Sequence, residues 1–157
     1  MEAYLLLKLV HIVSSTLLFG TGLGTAFSMW RADRSGDVAA IAVVSRNVVL
    51  ADFWFTTPAV IVQPLSGIAM MHLTGLPLAT PWIAASLALF VLIGLCWLPV
   101  VRIQMQVARI AAEAAREMTA LPARYRQLMR WWYALGWPAF LGVIAVFALM
   151  VFKPLWD

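Results

Sequence analysis

The sequence predicts an all-α fold: a polytopic membrane protein with four transmembrane helices in a bundle. Three observations carry this. Of the 157 residues, 64% are hydrophobic and only 11% are charged, against roughly 25% charged in a soluble domain. The mean hydropathy is +0.91, and a core this small leaves too much surface exposed to hide such apolar content from water. Finally, the apolar residues form four runs long enough to cross a bilayer, which takes roughly 20 residues each. The runs show no two-residue alternation, so a strand reading has no support.

The first run, Ala3–Met29, is apolar except for Lys8 and His11. It is long, rich in small residues and lacks an A-x-A-like cleavage site, and is therefore expected to be retained as a span. The second, Val48–Leu73, carries Asp52, Thr56, Thr57, Pro58, Gln63, Pro64, Ser66 and Gly67. Its two prolines each remove a backbone hydrogen bond, which neighbouring helices can re-satisfy. Asp37 is placed to cap a helix leading into it, and Gly75 with Pro77 closes it. The third, Trp82–Val101, opens on Thr80–Pro81, an N-cap followed by proline at the first helical position. The fourth, Trp132–Phe152, contains Gly136–Trp137–Pro138. Trp82, Trp131, Trp132 and Trp156 fall near expected interfaces, where amphipathic rings settle, while Trp54, Trp97 and Trp137 read as apolar packing.

Nine of the eleven basic residues lie in two connections, residues 30–47 and 102–131; the loop from Thr74 to Pro81 has no charge. The positive-inside rule places those two connections in the cytoplasm and both termini outside. The bacterial inner membrane is the expected location. The same distribution explains a pI near 9.8 without nucleic acid. Beyond Val101 the third helix is expected to continue into the cytoplasm with an arginine-bearing, solvated stripe. The whole chain reads as one membrane domain with the lipid bilayer as its partner. Self-association and a membrane redox partner are both compatible with it.

The chemistry-bearing residues centre on the first span. Lys8 and His11 lie three residues apart, on one helical face with Tyr4, Ser15 and Gly22. An ionisable group inside a span is a functional-site hypothesis by default. His11 can either bond Ser15 or a neighbouring helix, or hold a ligand or proton. Lys8 can snorkel to the headgroups or pair with a buried anion such as a haem propionate. Gly20, Gly22 and Gly24 allow close approach of a helix or a flat macrocycle. Gln63 lies mid-span and must bond another helix. Asp52 lies near the cytoplasmic end, where it can reach the interface beside Arg46. At the outer end of the second span, Met70, Met71 and His72 stand on the same half of the bilayer as His11. His/His or His/Met ligation suits haem b, with His11 and His72 or Met70 as axial ligands, and the same donors suit copper. Cys96, the single cysteine, reads as a packing residue.

Leu7–Lys8–Leu9–Val10–His11 and the glycines after it resemble the opening span of HemJ-type and CopD-type membrane proteins. The resemblance implies haem binding and protoporphyrinogen oxidation in the first case and copper handling in the second; only Lys8 and His11 carry over. Over nearly its whole length the chain resembles a family of small, uncharacterised bacterial integral membrane proteins. The pieces that carry this are Gly20–Thr21–Gly22–Leu23–Gly24, Ala51–Asp52–Phe53–Trp54, Gln63–Pro64 with Gly67, and Cys96–Trp97–Leu98–Pro99. A reporter fused after Asp157 is expected to be active only if it functions outside the cytoplasm; cytoplasmic activity would mean an odd number of spans.

Overall fold

A computed structural model describes residues 1–154; the interfacial expectation for Trp156 lies outside them. The described residues form five α-helices: α1 Glu2–Ser35, α2 Val38–Ala51, α3 Thr57–Thr74, α4 Pro81–Glu117 and α5 Ala123–Phe152. A π turn, Asp52–Thr56, joins α2 to α3, and the continuous Val38–Thr74 rod is one of four helices long and apolar enough to span a membrane. At 1.5 Å per residue, 37-residue α4 is about 55 Å long. That exceeds the roughly 30 Å hydrocarbon layer, so helix continues past it.

The ends obey the local signals. Asp37 caps α2 by accepting from the backbone N–H groups of Ala39 and Ala40 at 2.9 and 3.2 Å. Gly75 ends α3 in the left-handed region at φ 67°, where a side chain would be strained. Thr80 stands at the N-cap of α4, but its hydroxyl donates to the Pro77 carbonyl at 2.7 Å instead of capping. Pro58 explains the π turn. It lacks an N–H, and the ladder adjusts before it: the Thr57 N–H and hydroxyl both donate to the Asp52 carbonyl.

The core lies at the arginine-rich end. Met29, Ile41, Val48, Val107 and Ala111, with Tyr125, Met129 and Trp132, draw α1, α2, α4 and α5 together there. Trp132 is thus only 7% exposed, whereas neighbouring Trp131 faces out. Trp54 and Trp137 are exposed instead of packed. Asp33 of α1 fastens this end: the Tyr125 and Tyr133 hydroxyls of α5 donate to its two carboxylate oxygens at 2.8 and 2.9 Å.

Towards the other end the helices separate into two pairs. α1 packs on α3, and α4 on α5, while α3 and α4 barely touch. The α4–α5 contact is close: a Cβ on Gly142 would stand 2.8 Å from Ile93 Cγ1. Across the gap, Phe19 of α1 meets Phe140 and Phe147 of α5, with centroids 5.4 Å apart in each case. Gly20, Gly22 and Gly24 meet nothing within 4 Å of an added Cβ, so they seat no helix of this chain, contrary to the packing reading.

Burial, then the hydrogen bond to Asp33 and its charge, push the Tyr125 phenol well above its usual value. A raised folded-state value gives stability that is complete below the unfolded value, near pH 10, and is lost as pH climbs through the folded one. Thermal unfolding in detergent is therefore expected to show Tm falling above about pH 10. Tyr125→Phe should remove part of that fall, while costing about 1–2 kcal/mol near neutrality.

Candidate functional site

The pairing of α1 with α3 rests on a polar seam inside the apolar span. His11 Nδ1 lies 2.8 Å from Ser66 Oγ, and His11 Nε2 lies 3.0 Å from Gln63 Nε2. Ser14 Oγ donates to Gln63 Oε1. Ser66 Oγ also donates to the Val62 carbonyl at 2.7 Å. That leaves Ser66 as acceptor for the imidazole, and the remaining directions are set by the donor inventory. Nδ1–H donates to Ser66, Gln63 donates to Nε2, and Ser14 donates to Gln63. Gly67 makes room: a Cβ there would sit 3.3 Å from His11 Cε1. Bonds between helices in a membrane average about 0.6 kcal/mol, so three contribute roughly 2 kcal/mol.

Gln63 bonds another helix, as its mid-span position requires. His11 bonds the neighbouring helix and not Ser15, whose hydroxyl donates to its own helix at the Ile12 carbonyl, 2.8 Å away. The remaining site residues divide. Met70 is four residues beyond Ser66 and seven beyond Gln63, on the stripe that faces α1. His72 is about 180° from Gln63 around α3 and exposed near the C-terminal end of that helix. The structure does not bring His11 and His72 together. No group of three or more His, Cys, Asp or Glu gathers to hold a metal among the described residues. Lys8 is exposed on α1. Both nitrogens of His11 are engaged, so a metal there requires Gln63 to release Nε2.

Gln63 also faces a second feature. Between the two helix pairs lies an open cleft in which a water-sized sphere has about 80 Å³ to occupy. Its walls are Leu18, Val60, Phe90, Ile93, Trp97 and Phe147, with Gly94, Val143 and Val146 beside them, and its polar groups are Ser15, Thr56 and Gln63. The Ser15 and Thr56 hydroxyls already donate, to Ile12 and to Asp52 Oδ1, so their oxygens can only accept from a guest. Gln63 keeps one amide N–H free. The cleft therefore offers one donor and two acceptors on an apolar wall.

Asp52 departs from its expected place at the interface. It is 6% exposed, and its carboxyl accepts from Thr56 Oγ1 at 2.9 Å. Sequence reasoning passed over Ser14, Gln104 and Asp33. Gln104 stands three residues before Val107 and seven before Ala111, on the buried face of α4, and α2 packs on that helix and leaves it 8% exposed.

The seam predicts a tautomer. Nitrogen-15 spectra of His11 should show Nδ1 protonated and Nε2 bare, and Gly67→Val should destabilise the protein by displacing the ring. Gly24→Val, with open space at its Cβ, should lower Tm far less.

No curated protein and no solved structure matches the chain. A family model described as "Predicted integral membrane protein (DUF2269)" matches residues 5–154. With four membrane-length apolar helices behind that match, the chain belongs to this family of multi-pass integral membrane proteins.

Proposed function

We propose that this protein binds a lipid-soluble ring compound bearing hydroxyl groups, of the quinol class, in the cleft between its helix pairs. The bacterial inner membrane is the setting, in keeping with the arginine distribution. The observation that carries the reading is the cleft itself. An apolar wall with a few convergent polar groups is the common character of small-molecule sites. One donor and two acceptors suit a ligand that both gives and takes hydrogen bonds, as a ring hydroxyl does. An all-carbonyl quinone can use only the Gln63 N–H. In this reading His11 does not touch the ligand. It accepts one N–H of Gln63 and so aims the other at the cleft, which makes it a positioning residue.

Haem b with His11 as axial ligand is the second reading, and one observation favours it. A metal-bound histidine usually donates its other N–H to a fixed acceptor, and Ser66 is placed to be that acceptor. Freeing Nε2 takes the loss of one hydrogen bond, to Gln63. A copper role through His11, Met70, Met71 and His72 has no comparable support, since His72 lies off the stripe facing α1 and away from His11.

Trp97 lines the cleft and reports on it. A short-chain quinol added to protein in micelles is expected to quench tryptophan fluorescence saturably, with the quenching reduced in Trp97→Phe. Gln63→Leu should weaken the quinol roughly 2- to 10-fold, the worth of one net hydrogen bond. Quenching that does not saturate, or that Trp97→Phe leaves unchanged, rejects the cleft. Protein purified from haem-replete cells with a Soret band that His11→Ala removes would establish the haem reading in its place.

A further inference from the structure

The two walls of the cleft differ in kind. Its polar groups, Ser15, Thr56 and Gln63, come from α1, the π turn and α3. The α4–α5 wall offers rings, branched chains and one stretch of bare backbone, at Gly94. Phe90, Gly94 and Trp97 are spaced by four and three residues, so they share one face of α4. Phe90 and Trp97 then stand about 10 Å apart along the helix axis, with the glycine between them.

Glycine weakens a helix relative to alanine, so one inside a span is expected to be there for the space it leaves. Gly67 leaves that space to His11 and Gly142 to Ile93, whose atoms would stand 3.3 and 2.8 Å from an added Cβ. Gly94 serves no such neighbour: nothing lies within 4 Å of its Cβ position. Gly20, Gly22, Gly24 and Gly136 are equally open, but of these five only Gly94 lines the cleft. Ile93, beside it, is seated against Gly142 and holds this stretch of α4 on α5.

A flat ring is the guest that uses such a place. It can lie on backbone without meeting a Cβ, and two aromatic side chains flank it for the offset or edge-on contacts that rings prefer. An acyl chain gains less, because it is narrow enough to run past a side chain. We propose that Gly94 seats the guest's ring, between Phe90 and Trp97, and sets the width of ring that the cleft admits. The ring's hydroxyl then reaches across the cleft to Gln63, Ser15 and Thr56. This rests on the quinol reading and adds the residue that selects among quinols.

The test titrates full-length protein in micelles with a one-ring benzoquinol and a two-ring naphthoquinol, both short-chained, and follows saturable quenching of tryptophan fluorescence. Gly94→Leu fills the seat and is expected to weaken both by about tenfold or more. Its Tm should stay at or above the wild-type value, because no atom stands near the new Cβ and glycine is the poorer helix former. Gly94→Ala adds one methyl group, and the ratio of naphthoquinol to benzoquinol affinity should fall. Gly24→Leu, equally open but off the cleft, should leave both affinities unchanged. Wild-type affinity in Gly94→Leu, or a ratio that does not fall in Gly94→Ala, overturns the proposal and leaves the quinol reading in place. Quenching that fails to saturate in the wild type rejects that reading itself, and the seat with it.

Discussion

Hydrocarbon offers no hydrogen bonds, and the seam between α1 and α3 is how this chain meets that constraint. His11, Ser14, Gln63 and Ser66 have no water to turn to at their depth, so they satisfy one another. Their mutual bonds fix which helix α1 accompanies through the bilayer and which way each side chain points. Removing one partner strands the others, which is why the group behaves as a unit. The architecture of the half away from the arginines derives largely from that choice of neighbour. With α1 committed to α3, and α4 held on α5 by the glycine contact at Gly142, a gap between the pairs remains.

The two ends of the molecule are therefore built on different physics. Where the arginines lie, large apolar side chains from four helices interlock, and Asp33 clasps two tyrosines across α1 and α5. In the opposite half the helices touch in twos, with aromatic rings from Phe19, Phe140 and Phe147 reaching over the gap. A rigid base with a divided upper part is a natural host for a guest between the pairs. Binding there would replace the contacts that α3 and α4 do not make with each other.

Most of the fold was legible because membrane spans announce themselves by length, charge and arginine bias. The seam was partly legible for a related reason. His11 and Gln63 stand out in an apolar run, and the need for a partner comes from the solvent. What sequence could not give was the partner's identity: Ser66 and Ser14 look like ordinary small residues until depth and rotation are known. Rotation is also where the helical pattern failed. The extra residue of the π turn shifts the face of everything after Asp52 by about 100°, so a stripe drawn straight through Val48–Leu73 misplaces one half. Gln104 could have been found by spacing: it precedes Val107 by three residues and Ala111 by seven, on the face of α4 that the core buries. Its polar side chain disguised it.

On the quinol reading, a guest reaches the gap between the helix pairs from within the membrane that these helices are long and apolar enough to span. A molecule arriving there has already dissolved in the bilayer, so its search is two-dimensional and its effective concentration is a mole fraction among lipids. Partitioning and occupancy are then separate equilibria, and the apparent strength of association depends on how much membrane the sample contains. Diluting the same protein and guest with more lipid, at constant aqueous volume, empties the gap without altering a single contact inside it.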